Sequence, residues 1–287
     1  MKSFLFKKWH KFLNYQDYEK DIVFISYSQF KNWYKCPRYH WLLSIEKLID
    51  YPSNEYTMYG NVMHEMSEKF LLERSLGLSS TEEENKEFFK RNFLYRFSIL
   101  KNDEKTFDKE KSLKMFAAGL KLYPKMISEL EKKFGTDFKI IDVEYVINEP
   151  IDFHKHENIS YRFKGYVDIV LQTNDGKFHI VDWKTTVGGW GRKQRSDKSN
   201  LYQMILYKYF FSKKENIEPK NIEVHYGFLV TKSKNINWLD ITSGDKRTKN
   251  CLNSIKSMLI TAFERKIYMR AVDCKYCECR RYDLVKN

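Results

Sequence analysis

Two aspartates and a lysine carry the strongest chemical signal in this chain. Asp168 sits in Gly165-Tyr166-Val167-Asp168 and Asp182 and Lys184 flank Trp183 in Asp182-Trp183-Lys184, within two runs rich in β-branched and aromatic residues at about 161–171 and 177–185. Between them Thr173-Asn174-Asp175-Gly176 forms a turn cluster whose glycine suits the left-handed position of a three-residue hairpin loop. A loop centred on Asp175 pairs residues whose numbers sum to 350, which sets Asp168 opposite Asp182. Directly opposed side chains have Cβ atoms about 4.5–5.5 Å apart, and like charges at that spacing repel unless a cation lies between them. With a strand period of two, Lys184 projects with Asp182, while Val181 and Trp183 face the other way. Two acids and an ammonium on one patch suit a divalent cation and a phosphate. Taken alone, Asp-x-Lys is common on the polar face of a hairpin, so its company decides its meaning.

That company is extensive. A helix expected over about 197–212 places Gln203 and Tyr207 one turn apart on one face. Ile25-Ser26-Tyr27-Ser28-Gln29-Phe30 precedes Cys36-Pro37-Arg38-Tyr39, and Gly60 precedes His64 on a helix expected from about 58 to 76. Glu144 lies on a strand expected over about 138–148. In this order the motifs resemble the RecB-type branch of the PD-(D/E)xK nuclease superfamily: the Cys-Pro-Arg segment, the Gly-x-x-x-His motif, the strand-borne acid, Gly-x-x-Asp, Asp-x-Lys and the helical Gln-x-x-x-Tyr.

The resemblance implies an α/β, restriction-endonuclease-like core, a mixed central sheet flanked by helices with a helical N-terminal region. It implies a metal-dependent nuclease that hydrolyses DNA, an exonuclease of recombination, repair or replication. Asp168, Asp182, Lys184, Gln203 and Tyr207 would be catalytic. His64, Asp168, Asp182 and the Trp183 backbone carbonyl would hold the metal, with Glu144 as a further acid, and this mostly oxygen set suits Mg2+ or Mn2+. Lys184 would polarise water or bind the scissile phosphate, and Gln203 and Tyr207 would orient the substrate strand. Gly60 would leave room beside the His64 imidazole. A helicase or recombination protein is an expected partner beside DNA. The alternative is a catalytically silent RecB-like module that binds DNA ends within a recombination complex.

Nuclease relatives that carry an iron–sulfur cluster join one cysteine near the Cys-Pro segment to three near the C-terminus. Cys36, Cys274, Cys277 and Cys279 occupy those two places, so a [4Fe–4S] cluster, zinc or reduced thiols are the readings. Against a cluster, one residue separates Cys277 from Cys279 and Asp283 stands where a further cysteine is expected. Cys251 reads as a small buried hydrophobe.

The elements must position these groups, and composition bounds how. The chain has 287 residues, 42% hydrophobic, long enough for a substantial core, with no Pro/Gly/Ser linker to divide it. A single domain over 1–287 is expected, with a helical region at about 58–134 before the catalytic sheet and a cysteine-containing tail at 274–287. After the helix over 58–76, the part of that region from 81 to 134 reads as two further amphipathic helices separated near 101–105, and a first helix capped by Ser28 runs toward Ile45 before them. A strand at 222–230 and a last helix over about 245–267 complete the order. A formal charge of +13 suits a polyanionic partner, because cations that neutralise phosphates release counterions. The basic loop Gly188-Gly189-Trp190-Gly191-Arg192-Lys193-Gln194-Arg195 is the expected DNA contact: Arg192, Lys193 and Arg195 for phosphates, Trp190 for stacking on a base. No apolar run reaches membrane length, so a soluble cytoplasmic protein is expected.

Overall fold

The computed structural model describes residues 21–51, 54–101 and 108–274. Six strands form one mixed sheet: β1 (Asp21–Ser26), β2 (Lys139–Pro150), β3 (Ile159–Gln172), β4 (Phe178–Thr186), β5 (Ile222–Val230) and β6 (Asn235–Asp240). Around it lie α1 (Tyr27–Lys35), α2 (Glu55–Ser75), α3 (Glu82–Lys101), α4 (Lys109–Leu122), α5 (Met126–Phe134), α6 (Lys198–Glu215) and α7 (Asp245–Met258). This is the expected α/β architecture of a mixed sheet flanked by helices. Among the described residues no helix is long and apolar enough to cross a membrane.

The β3–β4 hairpin has the expected register. Thr173 N donates to the Lys177 carbonyl at 3.0 Å and Gly176 adopts φ +82°, so the loop closes on three residues. Ile169 then pairs with Val181 and Val170 with Ile180. The alternation follows: Val181 and Trp183 enter the core beneath α2–α5, whereas Ile180 packs toward α6. Trp183 is fully buried, its ring against Trp238 and its Nε1 donating to Ser67 Oγ of α2 at 2.8 Å. Its removal would cost about 3–5 kcal/mol. Gly227 on β5 leaves space for that ring, since a Cβ there would stand 2.2 Å from Trp183 Cζ3.

β3 is the axis of the sheet. On one edge it pairs with antiparallel β2; on the other it pairs with parallel β1 over residues 159–164 and with antiparallel β4 over residues 169–172. Residues 165–168 lie in the fork between β1 and β4 and pair with neither strand through the backbone. At the same level the pleat switches faces. Val143 and Ile169 belong to the core under α2–α5, while Tyr145 and Val167, two residues away on each strand, belong to the core under α6. Residues two apart should share a face. The intervening Glu144 has φ +54°, a left-handed conformation that re-aims the strand.

Several boundaries differ from those the sequence suggests. Ser26, not Ser28, caps α1, its Oγ accepting from Gln29 N. The helix expected to reach Ile45 breaks at Cys36, because Pro37 holds the preceding residue extended (φ −161°, ψ 108°). Helical turns resume at Pro37–His40 and Trp41–Ile45. The helix expected after residue 105 is two, α4 and α5, parted at Pro124 by a 3₁₀ turn. β1 and β6 complete the sheet.

Candidate active site

The fork creates a place that backbone hydrogen bonding cannot fill, and Asp168 fills it with a side chain. Its Oδ2 accepts from the Trp183 backbone N at 2.6 Å, where an unbroken hairpin ladder would supply a carbonyl. Its Oδ1 lies 3.2 Å from His64 Nδ1, delivered by α2. Burial alone would raise the Asp168 pKa, but the charge and hydrogen bond of His64, then Lys184 and the Trp183 N–H, hold it below the ordinary value. Burial would likewise lower His64; the Asp168 carboxylate, with Asp182 behind it, outweighs burial and raises it to about 9. The pocket therefore attracts positive charge. Glu144 joins it: one ligand atom each of His64, Glu144 and Asp168 lie within 4.8 Å of one another. Holding a non-glycine residue left-handed costs about 1–3 kcal/mol, and here the strain brings a carboxylate to the fork.

Asp182, 2% exposed, lies on the α6 side of β4. Its Oδ1 accepts from Gln203 Nε2 at 2.7 Å, and its Oδ2 stands 2.6 Å from Lys184 Nζ. The Lys184 ammonium is thus the charged partner of this buried oxygen. Burial first, then the Asp168 charge, push the carboxyl up to about 6, while Lys184 and His64 oppose the rise. Lys184 keeps 30% of its side chain exposed and can meet a ligand from solvent. The His64 imidazole and the Glu144 and Asp168 carboxylates, with the Asp182 carboxylate coupled to Asp168 and His64 by charge, are donors suited to a hard divalent cation. The residues present fit Mg2+ or Mn2+.

Gln203 and Tyr207 converge on the same spot from α6, with a difference from expectation. Gln203 Nε2 is shared between Asp182 and the Tyr207 hydroxyl at 3.2 Å, and its Oε1 lies 3.2 Å from the Tyr226 hydroxyl, which also donates to the Asn200 carbonyl at 2.6 Å. The amide is occupied at both ends, so its contacts orient Asp182 within the protein. Burial and the Asp182 charge push the Tyr207 phenol well above its ordinary value, which keeps its proton in place. Gly165 makes this arrangement possible, because a Cβ there would stand 2.9 Å from Tyr207 Cε1. Gly60 leaves its space to Thr185 Oγ1, which would be 3.3 Å from an added Cβ, and not to the His64 imidazole. The α2 turn before His64 packs on β4 at that point.

Sequence reasoning passed over two neighbours on α1. Tyr27 is buried, its phenol raised by burial and by the nearby Asp182 and Asp197 charges. Lys31, one turn on, lies with its ammonium 5.7 Å from the Tyr27 ring centroid; burial, then Lys35 and Lys184, lower it to about 8. The available signal was the i, i+4 spacing of Tyr27 and Lys31 directly after Ser26.

The basic loop lies between β4 and α6 and carries a short helical turn at Arg192–Ser196. Arg192, Lys193 and Arg195 are exposed, whereas the Trp190 ring is half-buried against Tyr226 and Phe228, with centroids 5.0 and 4.9 Å away. Cys36 and Cys274 are buried in one small cluster with Tyr39, Leu42 and Leu43. Cys277 and Cys279 lie outside the described residues. Cys251 is buried on α7, as expected of a small hydrophobe.

The sequence profile of the PD-(D/E)XK nuclease superfamily matches residues 25–282. A search of curated proteins gives no match. Among solved structures, a protein of Eubacterium rectale named as a candidate exonuclease is similar with a TM-score of 0.51 and 12% identity, over 90% of this chain and 87% of that one. At that identity the likeness is one of fold. The protein SSO0001 is 12% identical, with a TM-score of 0.39 over 96% of this chain and 95% of that one.

Proposed function

The chain belongs to the PD-(D/E)XK nuclease superfamily, and from that premise we propose a Mg2+- or Mn2+-dependent deoxyribonuclease, acting as an exonuclease in recombination, repair or replication. The observation that carries this reading is the convergence of His64, Glu144 and Asp168 ligand atoms at the fork, with the buried Asp182 carboxylate paired to Lys184 on the neighbouring strand. Those four acidic and imidazole groups, with the Trp183 carbonyl, would hold the ion. When bound, the ion supplies Lewis acidity toward the phosphate and makes water more acidic.

The chain's own groups do the rest. Asp168 ties β4 to β3 through the Trp183 N–H and so fixes the distance between the two acids. Gln203, itself held by Tyr226 and Tyr207, sets the orientation of Asp182. Lys184 offers its ammonium to the negative charge that grows on the phosphoryl oxygens as water adds and the bond from phosphorus to the leaving oxygen breaks. Lys31 adds a second cation to this side of the site. Arg192, Lys193 and Arg195, exposed directly after β4, suit phosphates of the bound strand, and the half-buried Trp190 offers only its free edge to a base. The candidate exonuclease of similar fold supports action at ends. A metal role for Cys36, Cys274, Cys277 and Cys279 draws support from the shared burial of the first two; iron, sulfide and zinc analysis after anaerobic purification tests it.

The deciding experiment incubates end-labelled linear DNA and closed circular DNA with Mg2+, Mn2+ or chelator. Metal-dependent shortening of linear DNA with circles intact is the expected result. Lys184→Ala should abolish cleavage while retaining DNA binding. Absence of metal-dependent cleavage of any DNA form would leave a DNA-binding module in place of an enzyme.

A further inference from the structure

A second group of ligand atoms lies on the opposite face of β4 from Asp182 and Lys184. His179 of β4 and Glu223 of β5 are register partners, and His225 follows two residues on along β5. Both imidazoles are buried, His179 at 6% and His225 at 3% exposure, under the Phe134 ring of α5. His179 Nδ1 stands 3.1 Å from His225 Nε2 and 3.7 Å from Glu223 Oε2.

The outer contacts of each ring determine where its proton sits. His225 Nδ1 lies 2.7 Å from Asp240 Oδ1, an acceptor only, so Nδ1 carries the hydrogen and Nε2 presents a lone pair. His179 Nε2 lies 3.0 Å from Thr173 Oγ1. The Thr173 hydroxyl gives its own proton to Asp175 Oδ1, so it accepts from His179 Nε2, and His179 Nδ1 also presents a lone pair. Two nitrogen lone pairs thus face each other at hydrogen-bond distance with no proton to share, and a carboxylate oxygen stands beside them. Such an arrangement is repulsive unless a cation occupies the centre.

The geometry points to a zinc-class divalent ion bound by His179 Nδ1, His225 Nε2 and Glu223 Oε2, with water as fourth ligand. Tetrahedral donors at zinc distances of about 2.0–2.1 Å stand roughly 3.3 Å from one another, close to the spacing found here. Two imidazoles favour zinc over Mg2+. The surroundings have the form that orients metal-bound histidines: Asp240 behind His225, Thr173 behind His179, and Lys177 holding the other oxygen of Glu223 at 2.7 Å. The ion would clamp β4 to β5, and with them the hairpin loop and β6, on the strand that carries the catalytic acid and lysine. This inference stands apart from the nuclease reading.

Cobalt(II) is the probe. Titrated into the metal-stripped full chain, it should give the intense visible absorption of a tetrahedral nitrogen–oxygen site, without the near-ultraviolet band of thiolate ligation, and raise the Tm. Glu223→Gln, at a half-exposed position that should not disturb folding, should remove the visible band; His225→Gln should do the same. Asp240→Asn should weaken cobalt binding about 10–100-fold. A weak, octahedral spectrum in the wild type, or an intense band unchanged by Glu223→Gln, would overturn the assignment.

Discussion

Gly165→Ala tests whether the site depends on the close approach of α6 to β3. The new Cβ would lie 2.9 Å from Tyr207 Cε1 and 3.2 Å from Phe163 Cε1, against an ordinary carbon contact of about 3.5–4.0 Å. Phe163 has little room to retreat, being stacked on Phe210 at 4.4 Å and 3°. The Tyr207 ring must therefore shift by about 0.6–1 Å. Overpacking of this kind costs about 1–3 kcal/mol. Gly165 is not left-handed, so alanine also restricts the unfolded chain and returns about 0.4–1 kcal/mol, for a net loss of roughly 1–2 kcal/mol. Activity should suffer more than stability. The Tyr207 hydroxyl shares the Gln203 amide with Asp182, and a displacement of about 1 Å in a positioning network costs on the order of 100-fold in rate. Urea unfolding at constant m reads the first effect, and single-turnover DNA cleavage at saturating Mg2+ the second. An unchanged cleavage rate would refute the positioning role, whatever the stability.

Two further outcomes follow from other parts of the molecule. Burial would raise the Glu55 carboxyl, but the Asp108 N–H, its own helix-start N–H and Lys111 hold it below the ordinary 4.5, so its stabilisation is complete above that value and fades as pH falls through the folded pKa. Glu55→Gln should then cost about 1–3 kcal/mol near neutrality and progressively less in acid, read by denaturation across pH. Arg192, Lys193 and Arg195 replaced together by alanine should weaken DNA binding and flatten its salt dependence, with little change in the cleavage step; an unchanged slope of log K against log salt would remove the loop from the interface.

The hairpin was legible because three local signals agree: a loop glycine that accepts φ +82°, a strand period of two, and β-branched runs on both sides. β5 was legible for similar reasons, as a run rich in β-branched and aromatic residues in which Glu223 and His225 alternate with Ile222, Val224 and Tyr226. β1 was not. Its one fully buried residue, Ile25, gives no alternation, and its place depends on parallel pairing with a strand far along the chain. The same limit hid the occupied state of Gln203, which Tyr226 fixes from β5, and the meeting of His179 with His225, which requires the β4–β5 register. Motif spacing identified the groups at the fork, but it carried no information on the left-handed Glu144 or on the face switch beside it.

Those irregularities coincide with the chemistry for a physical reason. Residues 165–168 have no strand partner on the fork side, and the Trp183 N–H would be left without an acceptor if Asp168 did not reach it. One carboxylate thus closes the sheet with Oδ2 and attracts charge with Oδ1. Its two duties separate by substitution. Asp168→Asn keeps a carbonyl oxygen for the Trp183 N–H but removes the charge, so it loses the ion pair with His64 and the stability that goes with it, metal-dependent cleavage is lost and His64 falls back from about 9. Asp168→Ala removes both, and should in addition cost about 1–3 kcal/mol for the buried N–H left unsatisfied. Urea unfolding of both variants beside NMR titration of His64 measures the two effects independently. Equal stability of the two variants would show that the fork closes without the Asp168–Trp183 bond, and that the acid serves the site alone.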